Sequence, residues 1–564
     1  MRTICARALP SIVVAVLFAP PLLAQERSAQ KPVTEAVQVH VVNVEVFATG
    51  KDGLPVLDLK AGEFELREDG RPVALSNFLA PVGGRYAAAV AKAEAPEVLP
   101  SAGGSEEAQR TLVVFVDSLN LQAVGRKMVL DRLGDFLDER LGDGWRVLLV
   151  EYDRSLRLVT PLTGDRAVVA SGLEALRTRT IEGTMTGMAK RKILSDMGRP
   201  PATENSEAGE EARDELLRAI ETFAEEQLRL DSAMLDALER FVDGLAGLPG
   251  RKAVLFVSDG VPARVADELF REYQARFPGR SEFFQTMTRY SLTSSLREVT
   301  RRANASRITF YTINARPDFG LEHGSPEMGG APNETPLETI AAMSREESLV
   351  EFAAGTGGLP LYNTASLADG LETMADDLDS AYLLGYTPDH FGDGKFHKLS
   401  VRVTRPGVSV RCRQGYLDKS PEQRQGDRTT GALLAGGNDN PLGARVELGK
   451  PVRQGKNKVE VPLTVFVRAG TLTLLEAGAN HEGKVSVAIA VTKFNGRPSE
   501  VHRESFPVKV PTQHAEAFRA TEASFTFSLL LQAGDRDLAV TVRDEVAGIE
   551  STVVTPLAIE PEKR

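Results

Sequence analysis

Cysteine is nearly missing from this chain: two occur in 564 residues, Cys5 and Cys412. Removal of an N-terminal leader would leave Cys412 alone, which excludes an intramolecular disulfide framework. An exported chain of this kind has to rest on its apolar cores, and this one is long enough to build them. Positive charge is also in deficit. The 67 Lys and Arg stand against 78 Asp and Glu, a formal net charge of −11, which argues against a nucleic-acid partner. Beyond the N-terminus no apolar run approaches the roughly 20 residues that cross a bilayer as a helix. The seven histidines, His40, His323, His390, His397, His481, His502 and His514, are scattered. None forms a two-histidine metal motif on a helix. There is no Gly-x-Ser-x-Gly elbow, and Gly355-Thr-Gly-Gly358 lacks the lysine and the preceding strand of a phosphate loop. With no nucleophile–base pair visible, these absences point away from an enzyme.

The first 24 residues are not read as part of the fold. Arg2 and Arg7 precede an apolar stretch, Ile12 to Phe18, then Pro20-Pro-Leu-Leu-Ala24 leads into polar residues. This is the layout of a secretory signal peptide, 1–24, cleaved after about Ala24. A retained membrane anchor is the other reading, and the stretch is short for it. The mature chain is therefore expected outside the cytoplasm, periplasmic or extracellular.

After the leader the hydrophobic period changes three times. Residues 33–81 alternate as strands, with Glu68-Asp-Gly-Arg71 as a hairpin turn. Residues 82–108, rich in Ala, Gly, Pro and Glu, read as a linker. From 109 to 381 apolar strands alternate with helical patterns, which implies right-handed β-α-β units and a mainly parallel sheet. Within it, 185–247 reads as an exposed loop followed by a long helix. That helix carries the stripe Leu216, Ile220, Phe223, Leu230, Met234, Leu238, Phe241 and Leu245. Strands return over 382–416, residues 417–441 are polar and Gly-rich as in a linker, and 442–560 hold about seven strands. That spacing suits an antiparallel sandwich of immunoglobulin-like type. The β pieces 33–81 and 382–416 are each too short to stand alone. Together they make a plausible β-sandwich into which the α/β domain is expected to be inserted. The expected class is α/β plus all-β.

Two strings carry the chemistry. Thr111-Leu-Val-Val-Phe-Val-Asp117-Ser118-Leu119-Asn120-Leu121 and Ala253-Val-Leu-Phe-Val-Ser258-Asp259-Gly260 each run a buried-strand sequence into an aspartate. In open α/β sheets ligands bind at that end of the strands. Asp117 could serve a cation or hydrogen-bond the loop amides around it. Asp259-Gly260 could do the first or simply end a strand in a turn.

On these strings, region 109–381 resembles a von Willebrand factor type A domain. More narrowly, residues 37–416 are similar to bacterial VWFA-related domain proteins of the kind found in acidobacterial genomes. Gly53-Leu-Pro-Val, Glu63-Phe-Glu-Leu-Arg-Glu-Asp-Gly70, Pro249-Gly-Arg-Lys252, Thr356-Gly-Gly358, Tyr382-Leu-Leu-Gly-Tyr-Thr-Pro388 and Gly415-Tyr416 complete the likeness. The resemblance implies a doubly wound sheet with a metal-ion-dependent adhesion site, in which an Asp, two serines, a Thr and a second Asp hold Mg²⁺ and leave one position for a partner's carboxylate. Asp117 and Asp259 match the aspartates. Leu119 and Leu121 stand at the serine positions and cannot ligate a hard cation. Ser118 and Asn120 are nearby oxygens out of phase, and Thr184 is the candidate for the threonine.

The site expected is therefore Asp117, Asn120, Thr184 and Asp259, a degenerate adhesion site, with Mg²⁺ as the possible cofactor. The expected function is an exported, non-enzymatic protein-binding or adhesion protein with a protein ligand. The competing expectation is a structural or assembly scaffold in the cell envelope that uses the long helix over 209–247 and the sandwich edges and needs no metal.

Overall fold

The structure is a computed structural model. It describes residues 41–82, 85–88, 110–141, 144–179, 184–198, 207–248, 250–277, 288–316, 336–361, 367–436, 440–455, 458–493, 498–532, 534 and 537–557. The expected leader, 1–24, lies outside this set, as does most of the segment read as a linker over 82–108. The chain divides into two compact units, Val41–Ser420 and the part that starts at Pro421.

The first unit opens with five strands, β1 Val42–Thr49, β2 Phe64–Glu68, β3 Arg71–Val73, β4 Asn77–Val82 and β5 Arg85–Ala88. The β2–β3 turn has positive φ at Asp69 (48°) and Gly70 (81°), the two-residue geometry that matches the twist of a hairpin. The α/β region follows: β6 Arg110–Asp117, α1 Ala123–Arg140, β7 Trp145–Asp153, β8 Ser155–Leu158, α2 Arg166–Thr178, α3 Thr184–Met197, α4 Glu207–Leu245, β9 Arg251–Ser258, α5 Asp267–Arg276, α6 Thr293–Ala305, β10 Ile308–Asn314, α7 Pro336–Thr356, β11 Pro360–Leu361 and α8 Leu367–Ser380. Four strands close the unit, β12 Tyr382–Tyr386, β13 Phe396–Val403, β14 Ser409–Cys412 and β15 Gly415–Leu417.

The central sheet runs β8-β7-β6-β9-β10-β11. All its pairs are parallel except β7–β8. Counted in chain order this is 3-2-1-4-5-6, the doubly wound order, whose switch point lies between the first and fourth strands, β6 and β9. Every residue of β9 is buried, as expected of strands covered by helices on both faces. Asp165 starts α2 by accepting from the amides of Ala167 (2.8 Å) and Val168 (3.4 Å), which satisfies two donors that the helix itself cannot.

Strands from before and after this region share two further sheets. β12 lies between β1 and β4, β14 pairs with β1, and β13 pairs with β2. Val44, Val46, Phe64, Phe78, Tyr382, Tyr386 and Leu399 form their common core. The chain thus leaves this β layer after β5 and re-enters it at β12.

One expected segment differs. Residues 184–197, read as loop, are the helix α3. Ile193 and Met197 are buried on it, and the helix stops before Pro200-Pro201, where a helical conformation is disfavoured. The apolar stripe of α4 lies on the chain's own sheet: Met234, Leu238, Phe241 and Leu245 are buried, and the Phe241 ring stands 5.8 Å from that of Phe115 in β6.

The second unit begins with another departure. The expected linker contains the helix α9, Pro421–Ala435. Gln425 is fully buried and donates through Nε2 to the carbonyls of Ser486 (3.2 Å) and Thr541 (3.1 Å). The polar composition that suggested a linker is therefore the hydrogen-bonding face of a docked helix. The rest is antiparallel. Its long strands are Lys458–Arg468, Asn480–Val491, His502–Pro511, Glu522–Gln532, Asp537–Asp544 and Glu550–Pro556, in two sheets over a Val-, Leu- and Phe-rich core.

Candidate functional site at the switch point

β6 and β9 end side by side, so Asp117 and Ser258 meet. The Ser258 hydroxyl donates to Asp117 Oδ2 at 2.8 Å. Asn120, in the turn after β6, donates its side-chain amide to the same oxygen (3.1 Å) and its backbone amide to Oδ1 (3.3 Å). Asp117 has no solvent exposure, and burial raises its pKa while these three donors favour the ionised form. Gly260 returns an amide to Ser258 Oγ at 3.0 Å.

Asp259 follows on β9's exit loop and is 9% exposed. Burial pushes its carboxyl up to about 6, opposed by the charge of Arg345. A third carboxylate comes from α4. Asp231 is fully buried, accepts from Gln227 Nε2 at 3.0 Å, and is likewise pushed up to about 6 by burial, again opposed by Arg345. The negative charge of Asp117 raises both. Arg345, on α7, donates to the Gly260 carbonyl at 3.3 Å. Gly260 has φ +86°, and a Cβ there would sit 2.2 Å from the Arg345 carbonyl oxygen. Only glycine lets α7 approach the crest this closely.

Of the expected residues, Asp117, Asn120 and Asp259 are brought together. Thr184 is the first residue of α3, and its side chain lies outside the described residues. Ser118 turns away: its hydroxyl donates to Glu151 (2.8 Å), a buried carboxylate held by Arg157 at 2.7 Å and Arg179 at 3.3 Å. Leu121 belongs to the apolar core. Asp231, Gln227, Ser258 and Arg345 were not among the expected site residues. The first two had a signal, an i, i+4 polar pair breaking into the apolar stripe of a long helix. Arg345 had none.

The donors are hard oxygens, which suits Mg²⁺ or Mn²⁺. Both Asp117 oxygens already accept hydrogen bonds. Asp231 Oδ2 and Asp259 Oδ1 are buried with no hydrogen-bond partner. The carboxylates with an oxygen free for a divalent ion are therefore Asp231 and Asp259, each close enough to Asp117 to feel its charge. Among the described residues these three are not grouped with donor atoms all within 4.8 Å, so water would complete their hold on an ion.

No protein-family model matches the chain, and no curated protein matches it. Several solved structures are similar over part of it. The vWF domain of the type V pili tip protein Mfa5 from Porphyromonas gingivalis is 14% identical over 48% of this chain and 95% of that one, with a TM-score of 0.25. BatB from Bacteroides thetaiotaomicron is 12% identical over 47% and 98%, with a TM-score of 0.21. Proximal thread matrix protein 1 from the mussel byssus is 9% identical with a TM-score of 0.21, and this chain spans about half of its length, 48%. At such TM-scores the likeness does not decide the fold, which rests on the strand order above.

Proposed function

We propose that the chain is an exported, non-enzymatic binding protein that takes a protein partner on the crest of its α/β domain. The observation that carries this is the set of three buried carboxylates, Asp117, Asp231 and Asp259, at the switch point of a doubly wound sheet, two of them with an unpartnered oxygen. Burying carboxylates that repel one another is unfavourable unless positive charge answers them. Arg345 supplies part of it. A divalent ion held by Asp231 and Asp259 would supply the rest and offer a coordination position to an acidic group of the partner. Asn120 and Ser258 hold Asp117 in place beneath that position.

The readings of leader, adhesion and degenerate site belong together here: a signal peptide at 1–24 would deliver the crest to a compartment where Mg²⁺ is available. Burial pushes the Cys412 thiol up to about 11, far from an activated nucleophile. No helix among the described residues is long and apolar enough to cross a membrane. The scaffold reading is less favoured, because Met234, Leu238, Phe241 and Leu245 of the α4 stripe it would use are buried within the chain's own α/β region.

The test is a Mg²⁺ and Mn²⁺ titration of the whole protein, followed by melting temperature, on wild type, Asp231→Ala and Asp259→Ala. A saturable rise in wild type that both variants lose supports the ion. Equal curves in all three remove it and leave the crest as a metal-free contact surface.

A further inference from the structure

Far from the crest in sequence, the β layer gathers two histidines and four carboxylates. They come from the β2–β3 turn (Glu68, Asp69), the loop after β12 (His390, Asp393), the start of β13 (His397) and the end of β15 (Asp418). The imidazoles of His390 and His397 stack with centroids 3.8 Å apart. We propose that Glu68, His390 and His397 form a site for a divalent transition ion of the Zn²⁺ class, with one coordination position open. This site is independent of the crest.

The argument starts with His390. Its Nδ1 is hydrogen-bonded to Asp418 at 2.9 Å, and the Asp418 side chain has no solvent exposure. That bond places the proton on Nδ1 and the lone pair on Nε2. Nε2 is buried, makes no hydrogen bond, and faces Glu68 Oε1 at 3.3 Å. A lone pair aimed at a carboxylate oxygen is repulsive unless something positive lies between them. A proton or a metal cation between them would remove that repulsion, and the 3.3 Å separation leaves room for either. A tetrahedral ion with bonds of about 2.0–2.2 Å sets its N and O ligands about 3.4 Å apart, close to the 3.3 Å found. His397 supplies a nitrogen such that one donor atom from each of the three residues lies within 4.8 Å of the others.

The surroundings are those a metal site needs. Metal-bound histidines are oriented by carboxylates, and ligating carboxylates are themselves hydrogen-bonded. Asp418 orients His390 and Asp69 (2.9 Å) orients His397 through Nδ1, while Asp393, 3.3 Å from His397 Nε2, has to give way for that nitrogen to reach an ion. Glu68 Oε1 accepts from the hydroxyls of Tyr386 (2.5 Å) and Tyr416 (2.7 Å). Two imidazoles and a carboxylate suit Zn²⁺ better than Mg²⁺, which prefers oxygen alone. The parallel rings must tilt toward the ion as it binds. Once bound, the ion would clip the β2–β3 hairpin to β13 and the loop before it.

The experiment uses the untagged whole protein, stripped with chelator and titrated calorimetrically with Zn²⁺. One ion per chain should bind saturably and raise the melting temperature. His390→Gln and Glu68→Gln should abolish this, Asp418→Asn should weaken it roughly 10- to 100-fold as a positioning residue, and Asp259→Ala should leave it intact. Excess Mg²⁺ should not compete. Absence of saturable binding, or binding unchanged in His390→Gln, overturns the proposal, as does loss of binding in Asp259→Ala. Should a variant fail to fold, Co²⁺ added to wild type decides: a tetrahedral visible spectrum supports the site, and an octahedral one overturns it.

Discussion

Ser258 and Asp117 come from neighbouring parallel strands, and the 2.8 Å hydrogen bond between them closes the switch point of the sheet. The serine is one of the three donors that keep a wholly buried carboxylate in place. Ser258→Ala leaves that oxygen with the Asn120 side-chain amide as its donor. The expected loss is about 1–3 kcal/mol of unfolding free energy, read by urea denaturation.

Acid should stabilise the crest. Asp231 and Asp259 titrate near 6 in the fold, against an ordinary value of 3.8. Below 3.8 both states are protonated and neither residue matters. As pH rises toward 6 the unfolded chain ionises freely while the fold resists, so stability falls across that window and then levels. Two units correspond to at most about 3 kcal/mol per group. Asp231→Asn should flatten the profile between pH 4 and 6, as measured by melting temperature against pH.

Gly260→Ala should be severe. It places a Cβ at φ +86° and against the Arg345 carbonyl. Strain of about 1–3 kcal/mol is expected from the backbone alone, with the clash added. Thermal unfolding measures the loss. Restoring glycine beside a shortened Arg345 side chain would not mimic it, because the clash is with backbone.

Cys412 should be inert. With its thiol pushed up to about 11 by burial, maleimide labelling at pH 8 should be slow in the native protein and fast in denaturant. Rapid native labelling would contradict the packing of β14 against β1.

Gln425→Leu should destabilise the second unit. The side chain also accepts from Arg503 (2.7 Å) and Ser486 (3.1 Å), so the change strands buried groups. About 1–3 kcal/mol is expected per group left without a partner. Limited proteolysis around residue 436 gives a second readout.

Much of the architecture was legible because period is a local property. The continuous apolar runs of β6 and β9, the Asp69-Gly70 turn and the strands after Lys458 follow from residues adjacent in sequence. Composition misled where polarity had a buried purpose. Gln425 and Thr429 made residues 417–441 resemble a linker although they anchor a helix, and the polar composition of residues 199–208 drew the helix before it into a loop assignment.

The aspartates at the strand ends, the absence of a disulfide framework and the alternation of strand and helix were determined by sequence alone. Which polar groups share a site was decided only by tertiary structure. Asp231 reaches Asp117 from a helix more than a hundred residues away, Ser118 turns to Glu151 instead of the crest, and Glu68 meets His390 from the far side of the whole α/β region in sequence. The reason is physical: hydrophobic periodicity sets the direction of one element at a time, whereas the meeting of buried charges depends on how separate elements pack, and no short stretch of chain encodes that.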